Sequence, residues 1–266
     1  MTAVLVAETE QTRREADALG PWFHNLHLPG GVQTLPDNPY YGDFPARKWR
    51  KIAPLFPGDL SGMTVLDIGC NAGFYSFELA KRGATVTAID VDEHYLQQAR
   101  WAAAKLGLTE RVTFRQAQVY DLARGYKPFD IVLFLGVFYH LRYPQLALDI
   151  VCRLARKQLV FQTLTMPGDD VSLVPADVPI DDRAALAAPG WPHMAFIEHR
   201  LAGDPTNWWA PNHAAVLSLL RSAGMRVIHQ PGDEMYVCEP DPENAGYVQT
   251  WGRTEFEAAT GTVNHE

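Results

Sequence analysis

The stretch from Thr64 to Asp90, TVLDIGCNAGFYSFELAKRGATVTAID, constrains this chain more than any other. A short apolar strand, Thr64-Val65-Leu66-Asp67-Ile68, runs into the turn Gly69-Cys70-Asn71-Ala72-Gly73. A helix is predicted from Phe74 to Arg82, with Phe74, Phe77, Leu79 and Ala80 at helical spacing and Gly83 to stop it. A second strand, Ala84 to Ile89, ends on Asp90. Strand, glycine turn, helix, strand and terminal acid over this length make the nucleotide-binding half of a doubly wound sheet. The glycines allow close approach of a ligand, and the helix start is expected to offer free N–H groups. Asp90 is placed to accept hydrogen bonds from ribose hydroxyls.

The rest of the chain extends that unit into an α/β, Rossmann-like, doubly wound and mostly parallel sheet. A helix is expected over His94 to Leu106, a strand at Val112 to Phe114, and a central strand at Phe129 to Leu135, whose near-continuous apolar run suits burial on both faces. The helix Pro144 to Arg153, the strand Gln158 to Thr163 and the helix Pro211 to Ala223 follow. Arg226 to His229 and Glu234 to Cys238 pair across Pro231-Gly232, which supplies an antiparallel edge strand. Three divisions are predicted. Residues 1–57 are an N-terminal helix (Thr2 to Leu19) and a lid, 58–240 the sheet domain, and 241–266 an acidic tail with Tyr247 and Trp251 as its large anchors. The lid carries Trp22, Phe23, His24, His27, Tyr40, Tyr41 and Phe44, more aromatic surface than a solvated linker holds. A Pro- and Asp-rich insertion, 166–207, precedes the last helix and is expected to be irregular.

At 266 residues there is room for one well-cored domain with additions. A net charge of −8 works against a large nucleic-acid footprint, since phosphate binding needs clustered Lys and Arg. Three scattered cysteines suit reduced thiols, and neither a secretory signal nor a long apolar run is seen, so a cytoplasmic protein without membrane contact is expected. The thin apolar stripe of the first helix lies across the domain or meets a partner, which leaves a homodimer open.

Two cofactor classes suit a glycine turn of this kind. A dinucleotide needs a middle glycine so that the backbone touches the diphosphate, and Asn71 stands there instead. Asp67, at the end of the first strand, is out of place beside a diphosphate but natural beside an ammonium. S-adenosyl-L-methionine carries an ammonium, a sulfonium and a carboxylate and no phosphate, and the turn favours it.

In VLDIGCNAGFYSFELAKRGA, AIDVD and FDIVLFLGVFYHL the chain resembles the class I S-adenosylmethionine-dependent methyltransferases. With QTL at Gln162 to Leu164, SLVP at Ser172 to Pro175 and NWWAPNHAAVLSLLRSAGM at Asn207 to Met225, it is similar to the subgroup of wobble-uridine tRNA carboxymethyltransferases, over roughly Pro21 to Met225. The resemblance implies that Gly69, Cys70, Asn71 and Gly73 line the methionine and adenosyl moieties, with Asp67 near the amino group. It implies Asp90 on the ribose diol with Val91 and Asp92 beside it, and Val119 and Tyr120 at the adenine edge. Leu135 and Tyr139 fall along the floor of the methyl-donor site, and Lys48 matches a basic position of the N-terminal segment. The carboxymethyl-transferring members bind an extra cofactor carboxylate with a lysine in that segment. Here Phe23-His24-Asn25 follows Pro21-Trp22, so methyl transfer from ordinary S-adenosylmethionine is expected. The acidic segment from Glu239 replaces the subgroup's basic C-terminal strand, which speaks against tRNA.

In-line methyl transfer needs alignment and desolvation, and a base only where the nucleophile is protonated. Candidate catalytic residues are Tyr139, His140, His24 and His27. His140 equally suits a histidine that ties down the following loop, and for His24 and His27 substrate contact is favoured slightly over loop packing. Candidate substrate contacts are His24, His27, Arg200, Asn207, Trp208 and Trp209, the tryptophans paving an acceptor pocket or packing beneath the insertion. His193, His199 and His213 match no metal-ligand spacing, so no metal is expected. The expected activity is methyl transfer to an oxygen or nitrogen of a small molecule. A tRNA wobble-uridine modifying (carboxy)methyltransferase and a catalytically silent cofactor-binding protein stand as alternatives.

Overall fold

The glycine turn sits where the doubly wound pattern puts it, at the end of a buried parallel strand. The structure, a computed structural model, describes residues 3–38, 41–232 and 234–262. Of the sequence expectations, Thr2 and Tyr40 lie outside them. The chain divides into two compact units, Met1–Gln118 and Val119–Glu266.

The first unit holds α1 (Ala3–Ala18), α2 (Phe44–Ile52), β1 (Thr64–Ile68), α3 (Phe74–Ala80), β2 (Thr85–Asp90), α4 (Glu93–Leu106) and β3 (Val112–Gln116). β2 pairs in parallel with β1 on one side and β3 on the other, with Ile68 opposite Ile89 and Asp90 opposite Gln116. Consecutive Val65 and Leu66, and consecutive Ala88 and Ile89, are buried, so these strands are covered on both faces. Asp92 caps α4 by accepting the His94 N–H at 2.8 Å, and Gly107 ends it in the left-handed region at φ 67°. α1 lies against α4: the Trp101 indole N–H donates to Glu15 at 2.9 Å, Lys105 pairs with Glu15 at 2.6 Å, and the Gln98 amide donates to the Leu19 carbonyl at 2.8 Å. Between α1 and α2, Leu26, Leu28 and Val32 are buried, a bridge joins His27 to Gln33, and Leu26 lines a cavity with Trp49, Phe74 and Phe77.

The second unit holds β4 (Phe129–Leu135), α5 (Pro144–Leu154), β5 (Ala155–Gln162), β6 (Met194–Phe196), β7 (Trp209–Pro211), α6 (His213–Ser222), β8 (Met225–Gly232), β9 (Met235–Pro240), α7 (Tyr247–Thr250) and α8 (Arg253–Thr260). β4 and β5 are parallel, and β9 runs antiparallel to both β5 and β8. The strand order of the seven-stranded sheet is β3-β2-β1-β4-β5-β9-β8, mostly parallel, as the sequence predicts. After β4, Phe138 is fully buried and meets Phe161 edge-on at 5.4 Å, which pins a short turn and leaves its neighbours Tyr139 and His140 half-buried.

Two expectations are corrected. The insertion and the segment after it are not wholly irregular: β6 and β7 form a small antiparallel ribbon, Phe196 opposite Trp209. Nor do Tyr247 and Trp251 anchor the tail. Trp251 is 86% exposed and Tyr247 41%, while Val248 and Phe256 are buried and the Arg153 guanidinium lies 4.8 Å over the Phe256 ring. A residue's size did not decide its burial here; the face of a short helix did.

Candidate active site

In the first unit, the loop after β1 closes on itself. The N–H groups of Gly69 and Cys70 both donate to the Ile89 carbonyl, at 2.9 and 3.0 Å, and that of Gly73 to the Cys70 carbonyl at 2.9 Å. Asn71 donates its N–H to Asp90 at 2.8 Å, and its own side-chain oxygen accepts the Ala72 N–H at 2.8 Å. Every amide from Gly69 to Gly73 thus has an acceptor within the chain. The Ile89 and Cys70 carbonyls and the Asp90 and Asn71 side chains take these five N–H groups, so the turn itself offers none to a ligand. A phosphate cradle needs such groups. Asn71 adopts φ 51°, which its short polar side chain tolerates better than most. Gly73 cannot be replaced cheaply: at φ 88° a Cβ would lie 2.9 Å from the Phe77 ring, so this glycine serves close helix packing.

Two carboxylates frame the turn. Asp67 is 2% exposed and accepts the Ser76 hydroxyl at 2.6 Å; burial pushes its carboxyl up to about 6 against that hydrogen bond. Asp90, also buried, takes the Asn71 N–H on one oxygen and the Asp92 N–H, at 3.0 Å, on the other. Burial raises its pKa as well. Both Asp90 oxygens are acceptors held by backbone N–H groups, and a pair of carboxylate oxygens is what two neighbouring ribose hydroxyls require. Asp67, a buried carboxylate with no cationic partner among the described residues to offset its desolvation, suits an ammonium. The donor set fits S-adenosylmethionine. Val91, beside Asp90, is 53% exposed, and the Cys70 thiol is buried, its pKa raised by that burial.

The two lid histidines part company. His24 is buried among Phe23, Phe44 and Tyr75, and burial first, with the Lys48 ammonium adding to it, drives its pKa down to about 3. Its Nδ1 has no hydrogen-bond partner. His27 is half exposed and binds Asp43 at 2.6 Å, the residue that also caps α2. Lys48 stands over the Phe44 ring at 5.7 Å.

The second unit carries the other candidates. Val119 is buried, and the Tyr120 hydroxyl accepts the Tyr143 N–H at 3.2 Å. Leu135 is half-buried at the end of β4. The Tyr139 and His140 rings lie 4.2 Å apart, and the Tyr139 carbonyl accepts the Trp208 N–H at 2.9 Å. His140 Nδ1 lies 2.9 Å from the Thr206 hydroxyl and 3.8 Å from Asp204. Burial lowers the His140 pKa, with Asp204 opposing. Around Trp208, the Phe196 ring is parallel within 9° at 6.4 Å, and the Arg142 guanidinium lies 5.0 Å from Trp208 and 5.4 Å from Phe196. Trp209 meets Phe196 at 5.1 Å, its indole N–H buried and unpaired. Asn207 is buried, donates to the Leu201 carbonyl at 2.8 Å, and leaves its side-chain oxygen unpaired. Arg200 is exposed. Sequence reasoning missed Ser76, Arg142, Phe196, Asp204 and Thr206. Only Asp204-Pro205-Thr206 carried a local signal, that of a turn. Among the described residues, no group of three or more His, Cys, Asp or Glu is gathered to hold a metal ion, and no helix is long and apolar enough to cross a membrane.

The family profile described as "Methyltransferase domain" matches residues 59–177. Residues 59–177 thus carry a methyltransferase domain. The cofactor that goes with the domain is S-adenosyl-L-methionine, as the carboxylate pair suggests. A tRNA U34 carboxymethyltransferase of Pseudomonas putida (strain GB-1) is 31% identical over 194 residues, 71% of this chain and 58% of that protein. Its namesake from Actinobacillus pleuropneumoniae serotype 3 (strain JL03) is 30% identical over 66% of this chain and 54% of its own length. The chain therefore spans little more than half the length of these curated relatives. By fold, it is similar to the N-terminal domain of EvdMO1, crystallised in the presence of SAH and D-fucose (TM-score 0.60, 20% identity, 87% of this chain and 96% of that one). It is also similar to a putative S-adenosylmethionine-dependent methyltransferase from Listeria monocytogenes (TM-score 0.53, 17% identity, 74% of this chain and 99% of that one).

Proposed function

We propose that this chain binds S-adenosylmethionine through its first unit and transfers the methyl group to an acceptor. One observation carries this reading: all five turn amides from Gly69 to Gly73 are occupied within the chain while Asp67 and Asp90 remain as buried carboxylates. Such a site suits a cationic, diol-bearing ligand without phosphate. Asp90 would hold the ribose diol and Asp67 would face the ammonium. When bound, the cofactor supplies a methyl group on a sulfonium sulfur that leaves as a neutral thioether. The chain's own residues align the acceptor, exclude water and take up a proton. Methyl rather than carboxymethyl transfer is favoured because Phe23-His24-Asn25, without a lysine, follows Pro21-Trp22, and His24 is kept neutral by burial.

The acceptor has two readings. The relatives' names favour tRNA, at U34, over the small molecule that the sequence suggests. A net charge of −8 and the ring cluster of Phe196, Trp208 and Trp209 favour the small molecule. Incubation with methyl-labelled S-adenosylmethionine and a bacterial extract tests both: label in the tRNA fraction supports the first, label in the low-mass fraction the second. No transfer, with cofactor binding intact by calorimetry, supports a catalytically silent binding protein. The cytoplasm is the compartment we propose for either acceptor.

A further inference from the structure

The turn Leu201-Ala202-Gly203-Asp204 is closed by paired backbone hydrogen bonds, Leu201 N–H to the Asp204 carbonyl at 3.3 Å and Asp204 N–H to the Leu201 carbonyl at 3.1 Å. Both central residues have positive φ, 53° at Ala202 and 81° at Gly203. An alanine in the left-handed region is strained, and strain of this kind persists where the surroundings over-determine it. What the turn presents is Asp204. One Asp204 oxygen accepts both the Thr206 N–H, at 2.7 Å, and the Thr206 hydroxyl, at 2.6 Å. That hydroxyl has a single proton, and the carboxylate takes it. Toward His140 Nδ1, 2.9 Å away, the hydroxyl oxygen has only a lone pair to offer. The proton of that bond must therefore sit on Nδ1. In the neutral ring Nε2 then carries a lone pair, and no described residue donates to it.

We propose that Asp204 and Thr206 are positioning residues that fix His140 in its Nδ1–H form, so that Nε2 accepts the proton of the methyl acceptor. This rests on the methyltransferase reading for its purpose, though not for its geometry. It selects an acceptor whose nucleophilic atom carries a proton. As the new bond to the transferred methyl forms, that proton passes to Nε2, the carbon–sulfur electron pair stays with the departing sulfur, and the imidazolium returns the proton to solvent. Burial lowers the affinity of His140 for a proton, which keeps the ring neutral and ready for this task.

Nitrogen-15 NMR of the full chain, with its histidine rings labelled and at a pH where His140 is neutral, tests the assignment. In the wild type, the His140 signals are expected to show a protonated Nδ1 and an unprotonated Nε2. Thr206→Val and Asp204→Ala, each removing the constraint, should shift the ring toward the Nε2–H form, and Thr206→Ser should keep the wild-type pattern. A wild type already in the Nε2–H form, or a tautomer unmoved by Thr206→Val and Asp204→Ala, overturns the proposal. Calorimetry with S-adenosylmethionine runs in parallel: the same variants should bind within about threefold of the wild type. A wild type that fails to bind sinks the methyltransferase reading and leaves the tautomer result standing by itself.

Discussion

The backbone N–H of Asn71 donates to the carboxylate of Asp90 across 2.8 Å, so the residue read as the ribose ligand also holds the glycine turn in place. A second N–H, from Asp92, fixes its other oxygen. The carboxylate is thereby oriented before any ligand arrives, which spares the cost of ordering it on binding.

Asp90→Ala is expected to weaken S-adenosylmethionine binding by about 2–4 kcal/mol, since hydrogen bonds to a charged group are each worth about 1.5–3 kcal/mol. Isothermal titration calorimetry measures it. Affinity equal to the wild type would remove Asp90 from the site.

Asp67 and His24 should give stability opposite slopes with pH. The Asp67 pKa is raised by burial to about 6 in the folded chain from an ordinary 3.8, so between these values the folded state binds more protons and stability falls as pH rises. The His24 pKa is lowered by burial to about 3 from 6.5, so its contribution is present above pH 6.5 and is lost as pH falls. Each slope is at most about 1.4 kcal/mol per pH unit. Urea unfolding between pH 4 and 6.5 should show Asp67→Asn gaining stability with rising pH relative to the wild type, and His24→Phe losing it. Parallel curves for all three proteins would contradict the burial of both groups.

Bound cofactor should act on Asp67 in the other direction. An ammonium beside the carboxylate favours its ionised form, so S-adenosylmethionine binding is expected to tighten between about pH 5 and 7. Asp67→Asn should flatten that dependence. A wild-type affinity that is level across this range would separate the ammonium from Asp67.

The tail offers a contrast in burial. Phe256→Ala is expected to cost about 3 kcal/mol, because a buried ring leaves a cavity. Trp251→Ala, at a side chain 86% exposed, should stay within about 0.5 kcal/mol of the wild type. Chemical denaturation of both variants checks this, and the reverse ranking would restore Trp251 as the anchor.

β1 and β4 run over the residues the sequence predicts for them, Thr64–Ile68 and Phe129–Leu135, because strands buried on both faces spell a mostly apolar run, broken here only by Thr64, Asp67 and Asp130. The β6–β7 ribbon was not legible: three residues against three carry no period, and what selects their pairing lies outside each segment. Asp204 and Thr206 were missed for a related reason. Thr206 stands 66 residues from His140, and a lone Asp-Pro-Thr announces a turn without naming what it faces.

By itself, the sequence determined the strand order of chemistry: an acid before a glycine turn, an asparagine where a diphosphate needs glycine, an acid after the next strand. These are local facts, set by backbone geometry and residue type over 27 consecutive positions from Thr64 to Asp90. Only the tertiary structure decided charge and partnership. His24 and His27 look alike in the chain, yet one is sealed among rings and held neutral while the other reaches solvent and Asp43. Solvation and hydrogen bonding belong to the neighbours that folding brings together, and the chain does not write those neighbours side by side.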